Sequence, residues 1–242
     1  PFRWRTGSSR RAVVLCIHGF TASPFETRPI AQACVERGID AVALVLPAHG
    51  LADHAQATRE LARVSYHDWF EACRCEWQRC RDSYDHVMVY GQSMGGALAL
   101  MTAAECQADA CAVTGVALIV PPYVRALGPA LHWLNWNARK DMGKRTIYNP
   151  QYPFYNLPSV GQLRLVAKRG WRALRKLQCP LFVGHSRDDN FVPPRVVTQV
   201  ARRRPAAEIH WYAGGHALTL DAQGQQLGAD IAQFFDKNLP AS

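Results

Sequence analysis

Residues 91–96 read Gly-Gln-Ser-Met-Gly-Gly, between an apolar run ending at Tyr90 and an Ala- and Leu-rich run beginning at Ala97. A serine with a glycine two positions away on either side, leaving a strand and opening a helix, has the context of a nucleophile elbow. The two glycines let strand and helix approach, and the serine is forced into a strained conformation with its oxygen over the sheet. A hydroxyl is a weak nucleophile at neutral pH, so Ser93 needs a base, and the base needs an orienting acid. Nine histidines compete for the first role. His216, in Gly214-Gly215-His216-Ala217, follows the last apolar run on a loop able to reach the same sheet edge. Chain order Ser, acid, His favours it over His49, His185 and His210. For the acid, Asp188 and Asp189 stand side by side in Arg187-Asp-Asp-Asn190-Phe191-Val192-Pro193, and spacing alone does not choose. His18-Gly19-Phe20 closes the first long apolar run. The N–H groups of Phe20 and Met94 are the expected donors to a developing oxyanion. The chemistry implied is acyl transfer; the bland alternative is a glycine-rich turn with an incidental serine.

Positioning such residues requires a rigid edge. Apolar runs recur at 12–17, 41–46, 86–90, 114–120, 180–185 and 208–212, most of them without alternation, as in strands buried on both faces. Helical stretches fall between them: 66–80, 94–106, 194–203 and 222–239. Ser23-Pro24-Phe25-Glu26 reads as a capping box with Pro at the first helical position, and Gly38 stops that helix. This alternation predicts an α/β fold, a mostly parallel, doubly wound sheet with helices on both faces. From Pro121 to Trp171 the rhythm breaks. No strand is expected there, and Pro122, Pro129, Pro150, Pro153 and Pro158 cut the segment into short pieces. It reads as a helical cap (121–171) inserted between two parts of one core (1–120 and 172–242), over the carboxyl ends of the strands.

With these residues in order, the chain resembles the α/β-hydrolase superfamily, and within it the small bacterial carboxylesterases and monoacylglycerol lipases. The resemblance rests on His18-Gly19-Phe20-Thr21, Pro47-Ala48-His49-Gly50, Gly91 to Gly96, Asp189 to Pro193, and Trp211 through His216 to Asp221. It runs through nearly the whole chain and is weakest in the cap. The family's acid precedes two residues and then Val-Pro, which selects Asp189. Two departures stand out: Ala48 where family members often carry Gly, and the doubled Asp. The resemblance implies the α/β-hydrolase fold, no cofactor, and hydrolysis of a small acyl ester. Ser as nucleophile argues against dehalogenase and epoxide-hydrolase chemistry. A thioesterase or amidase, a cofactor-free perhydrolase, and a non-catalytic ligand receptor would share the same residues.

Composition sets the remaining bounds. The chain is 48% hydrophobic and 19% charged, which excludes disorder, and no apolar run approaches the ~18 residues of a membrane span. No metal-ligand spacing and no dinucleotide fingerprint appears. Lys plus Arg exceeds Asp plus Glu by 28 to 19. The whole excess lies between Arg139 and Lys176, where Arg139, Lys140, Lys144, Arg145, Arg164, Lys168, Arg169, Arg172, Arg175 and Lys176 face only Asp141. With no nucleic-acid module, this stretch reads as a solvated face or as a weak contact for an anionic lipid surface. Leu127, Leu131 and Leu134 lie at helical spacing with Trp133 and Trp136 beside them. They are expected either to pack a cap helix or, with Trp133 and Val192, to line an acyl pocket. Eight cysteines in a chain long enough to bury a core read as free thiols, favouring a reducing, cytoplasmic setting. The chain begins at Pro1 rather than Met, so a missing signal-peptide pattern carries no weight.

Overall fold

Strand and helix alternate along the chain as the apolar runs require. The computed structural model describes residues 1–8, 11–131, 133, 134, 136–140 and 148–239. The elements begin β1 (Phe2–Trp4), β2 (Ala12–Ile17), α1 (Arg28–Glu36, entered through a 3-10 turn at Pro24–Thr27), β3 (Asp40–Leu44), α2 (His54–Arg63) and α3 (Tyr66–Arg81). They continue with β4 (His86–Gln92), α4 (Met94–Cys106), β5 (Cys111–Thr114), α5 (Pro122–Leu131), β6 (Asn137–Arg139) and β7 (Phe154–Asn156). The chain closes with α6 (Leu157–Lys176), β8 (Leu181–Ser186), α7 (Arg195–Arg203), β9 (Glu208–Tyr212) and α8 (Gly224–Lys237).

The sheet runs β1-β3-β2-β4-β5-β8-β9, parallel except for β1. Successive side chains of a strand point to opposite faces, and here both faces are covered. Val13, Leu15 and Ile17 of β2 join a core with α3, α4, α6 and α7, while Val14 and Cys16 join a second with α1 and α8. Register sets the site. Ile17 pairs with Gly91, Gln92 with Thr114, Thr114 with Gly184 and Ser186 with Tyr212. The loops leaving β2, β4, β8 and β9 therefore emerge side by side at the carboxyl edge.

Several local expectations are corrected. Of the fourth run, 114–120, only Thr114 belongs to a strand, Cys111–Thr114; Gly115, at φ +50°, turns the chain out, after which Val116 and Leu118 pack into the core while Ala117, Ile119 and Val120 wall a cavity. The segment expected to lack strands holds the β6–β7 ribbon, each strand only three residues long. α6 runs unbroken through Trp171 to Lys176, so a boundary at 171 falls inside one helix. The Ser23 hydroxyl does accept from Phe25 N–H, but Glu26 turns away from the helix end and into the protein. Within the basic stretch, Lys168, Arg169, Arg172, Arg175 and Lys176 are exposed on α6, whereas Lys140 is buried; Asp141, Lys144 and Arg145 lie outside the described residues.

Candidate active site

The turn from β4 to α4 carries Ser93 at φ +56°, ψ −117°, a conformation that L residues rarely adopt. Close approach enforces it: a Cβ on Gly91 would lie 2.1 Å from the Gly95 carbonyl oxygen, and one on Gly95 would lie 2.2 Å from that of Ile17. Nothing larger fits at either position. Ser93 Oγ lies 2.8 Å from His216 Nε2, and His216 Nδ1 lies 2.7 Å from Asp189 Oδ2. The carboxylate can only accept, so Nδ1–H donates to it and Nε2 is left to accept from the serine hydroxyl.

Asp189 also accepts from the N–H groups of Phe191 and Val192 through Oδ1, both at 2.8 Å. Burial pushes its carboxyl upward, but the hydrogen bond and charge of His216 and these two N–H groups prevail and hold it below the usual range. Asp188 points elsewhere; its own N–H donates to Ser186 Oγ. His185 sits behind the acid, giving its Nε2–H to Val192 O at 3.1 Å, with burial lowering its pKa. The His216 loop is anchored by side chains. Gln92 Nε2 donates to His216 O at 2.7 Å, and Asp221 accepts from Gly215 N–H, also at 2.7 Å. Thr114 bonds Gln92 Oε1 and in turn meets Tyr90 OH at 2.7 Å, so β4 holds the His216 loop through a buried polar chain.

On the other side of Ser93 lies the loop Gly19–Thr21. Among the described residues neither Phe20 N–H nor Met94 N–H has a protein partner, whereas the groups around Phe20 are tied down. Gly19 N–H donates to Glu26 Oε1, and Gly19 O accepts from His18 Nδ1–H at 2.8 Å. Thr21 N–H donates to His49 Nε2 at 2.9 Å, Thr21 O accepts from Tyr152 N–H at 2.9 Å, and Thr21 Oγ1 accepts from Lys140 Nζ. Thr21 sits at φ +59°, costly for a β-branched residue, and these bonds hold it there. Burial, with His49 close by, pushes His18 down to about 3, and burial pushes His49 down to about 4; both stay neutral and can accept. Lys140 Nζ also donates to Gln151 Oε1 at 3.0 Å and lies 4.6 Å from the Tyr155 ring centre.

A cavity of about 540 Å³ opens over Ser93. Its apolar wall includes Ile119, Val124, Leu157, Val160, Leu163 and Val166; Glu26, Lys140, Asn149 and Gln151 make a polar end. Of the residues expected to line an acyl pocket, Val192 does. Leu127, Leu131, Trp133 and Leu134 do not. α5 turns Val124 and Leu131 onto Val160 of α6, so Leu127 faces out, and Leu127, Trp133 and Leu134 are all exposed. The sequence reading missed Glu26, Lys140, Tyr152 and the holding roles of His18 and His49. The one available signal, Glu26 three residues after Ser23, pointed to a helix cap instead. Among the described residues no group of His, Cys, Asp and Glu could hold a metal ion.

A doubly wound sheet with Ser, Asp and His on loops beyond its carboxyl edge, in that chain order, is the frame of the α/β hydrolases. The chain belongs to the alpha/beta hydrolase family, whose sequence profile matches residues 14–227. It is 24% identical over 233 residues to the thermostable monoacylglycerol lipase of Bacillus sp. (strain H-257), covering 93% of this chain and 90% of that protein. Among solved structures, a metagenome-derived lipolytic enzyme superposes with a TM-score of 0.84 at 23% identity, covering 97% of this chain and 96% of that one. The monoacylglycerol lipase of Paleococcus ferrophilus superposes with a TM-score of 0.78 at 14% identity, with 98% of both chains covered.

Proposed function

We propose that the protein is a serine carboxylesterase or monoacylglycerol lipase acting on short- to medium-chain acyl esters. The observation that carries this is the Ser93–His216–Asp189 hydrogen-bond chain opening onto a largely apolar cavity beside two unpartnered N–H donors. Ser93 Oγ bonds to the ester carbonyl carbon as its proton passes to His216 Nε2, and Asp189 stabilises the imidazolium. The carbonyl electrons move onto oxygen, which the N–H groups of Phe20 and Met94 receive. As the C–O bond to the alcohol breaks, His216 returns the proton to the leaving oxygen. Water then repeats the sequence on the acyl-enzyme, releasing the acid and restoring Ser93. The names of the most similar relatives favour an ester, and the apolar wall suits the acyl chain of a fatty acid.

Ser93→Ala should lower turnover of p-nitrophenyl octanoate by on the order of 10⁶. A fluorophosphonate probe should label the wild type once, at Ser93. Labelling elsewhere, or undiminished turnover in the variant, refutes the assignment.

Weak association with an anionic lipid surface is part of the same reading. Exposed Tyr123, Leu127, Trp133, Leu134 and Trp136 near the site, together with the cationic face of α6, support it. Binding to phosphatidylglycerol vesicles that falls with salt and weakens in Trp133→Ser would bear it out. No helix among the described residues is long and apolar enough to cross a membrane. The eight free thiols favour a reducing, cytoplasmic location.

A further inference from the structure

Glu26 is a carboxyl that the triad does not use, yet it is 4% exposed and lines the cavity. Its place is set by the 3-10 turn Pro24–Thr27, which swings it back over the loop the chain has just left. A Cβ built on Gly19 would lie 3.0 Å from Glu26 Oε1 and 3.3 Å from Ser93 Cβ, so this one peptide is flanked by the nucleophile and by the buried acid. Gly19 N–H donates to Oε1. The next N–H along the chain is that of Phe20, which has no protein partner.

We propose that Glu26 is a positioning residue of the oxyanion hole: by accepting the Gly19 N–H it fixes the His18–Gly19 peptide, hinged through Gly19 Cα to the Gly19–Phe20 peptide, and so limits where the Phe20 N–H can point when the oxygen gains charge. This rests on the acyl-enzyme reading above. The physical argument has two parts. A donor helps only if it already points at the developing charge, because reorienting it during the reaction costs what its hydrogen bond would contribute. Two adjacent N–H groups over one cavity would otherwise compete for the same oxygen, with the loop free to rotate either inward. Occupying one with an internal acceptor leaves a single orientation. His18 Nδ1–H and Ala22 N–H, both on Gly19 O, hold the peptide that carries the Phe20 N–H; His49 holds the peptide after it at Thr21 N–H, and Glu26 holds the peptide before it at Gly19 N–H. Burial pushes the Glu26 carboxyl up to about 7, against the opposing Gly19 N–H, His216 and Lys140. The group thus keeps its proton over a wider pH range than an exposed glutamate, which reduces the negative charge beside the oxyanion.

The test compares Glu26→Gln, Glu26→Leu and Glu26→Asp with the wild type, with Ser93→Ala as the blank. Glutamine keeps the accepting oxygen, leucine removes it, and aspartate keeps the carboxyl one methylene too short. Steady-state hydrolysis of p-nitrophenyl octanoate should show kcat lowered roughly 10- to 100-fold in the leucine and aspartate variants, with KM within about twofold. The glutamine variant should stay within about threefold of wild type. Inhibition by an octyl trifluoromethyl ketone, whose adduct carries an oxyanion, should weaken by the same factor as kcat. If Glu26→Leu fails to fold, Glu26→Asp reads the same effect. Wild-type kcat in either, or a loss in Glu26→Gln equal to theirs, overturns the proposal. Equal hydrolysis by wild type and Ser93→Ala would instead defeat the acyl-enzyme reading on which it rests.

Discussion

The two sides of Ser93 are built differently. On one, Asp189 and His216 come from the loops after β8 and β9; Asp189 is aimed by N–H groups of its own loop, and the His216 loop is held by Gln92 of β4 and by Asp221. On the other, Gly19–Thr21 is gripped by groups from four places: His18 in the same loop, Glu26 in the following turn, His49 after β3, and Lys140 and Tyr152 around the β6–β7 ribbon. On the His216 side the acid is held by its own loop and the base by the buried polar chain from β4. The oxyanion side is a convergence of distant segments whose polar groups are buried and neutral or paired. Reactive groups need few supports when the side chain itself does the chemistry; a backbone N–H has no side chain to steer it and must be steered by its surroundings.

The sharpest break in the comparison is on the acid–base side. Asp189→Asn should lower turnover by roughly 10⁴, because the amide no longer holds the Nδ1–H tautomer of His216. Asp188→Asn should stay within a few-fold, since its side chain takes no part in the chain of bonds. Turnover of p-nitrophenyl octanoate measures both, and the reverse ranking would move the acid one residue.

The oxyanion side should reveal itself through pH. Glu26 is raised from 4.5 to about 7, by burial first, while His216 and Lys140 pull it down and Tyr90 lies beneath it. A raised carboxyl keeps its proton in the folded state after the unfolded chain has lost its own. The stability it contributes is full below about 4.5 and is lost as pH rises through 7. His18 and His49 have the opposite sign: their contribution is present above 6.5 and is lost as pH falls toward 4 and 3. Denaturant unfolding of wild type and Glu26→Gln from pH 5 to 8 should therefore diverge, the glutamine variant gaining up to about 3 kcal/mol relative to wild type. Parallel curves would remove Glu26 from the titrating groups.

Val160 belongs to the cavity wall common to both sides. Val160→Phe removes room for about two methylenes, each worth about 0.8 kcal/mol, and should cut the preference for octanoate over acetate roughly tenfold. An unchanged ratio would put the acyl chain elsewhere. The smallest effect concerns Ala48, beside His49, at φ +64°. Glycine there relieves a left-handed alanine, so Ala48→Gly should stabilise by roughly 0.5–1 kcal/mol, raising Tm by about 1–4 °C. A lower Tm would mean that the lost Cβ contacts outweigh the strain.

The same contrast explains what was legible in the sequence. Gly91 to Gly96 announced strand, turn and helix because each of its constraints is local, and the helix at Met94–Cys106 begins and ends where its residues required. The acid was legible only as a pair until the family's spacing separated Asp189 from Asp188, since the choice depends on which carboxylate the two N–H groups of Phe191 and Val192 turn inward. The run 114–120 misled because burial in a core beside the sheet or in a cavity wall looks, in composition, like burial within the sheet. β1, β6 and β7 are three residues each, too short for any period to register. Glu26 registered only as a helix cap, and Lys140 only as one charge of a basic run. Each resembles an ordinary surface charge in sequence, and their contacts span 7 and 119 positions along the chain.

The attachment of Lys140 and Tyr152 to Thr21 bears on how such a protein can be remodelled. Residues between β5 and β8 form one continuous connection in the chain, carrying α5, the β6–β7 ribbon and α6. Here that unit is not a detachable cover. It supplies an ammonium to Thr21 Oγ1 and an N–H to Thr21 O, and so contributes to the scaffold that presents the Phe20 N–H. A chimaera that replaces the insertion but keeps Ser93, Asp189 and His216 would carry a complete triad and a slackened oxyanion loop. Recombination should therefore succeed only where the incoming segment brings its own donors to Thr21, which ties the evolution of substrate choice to that of the reaction rate.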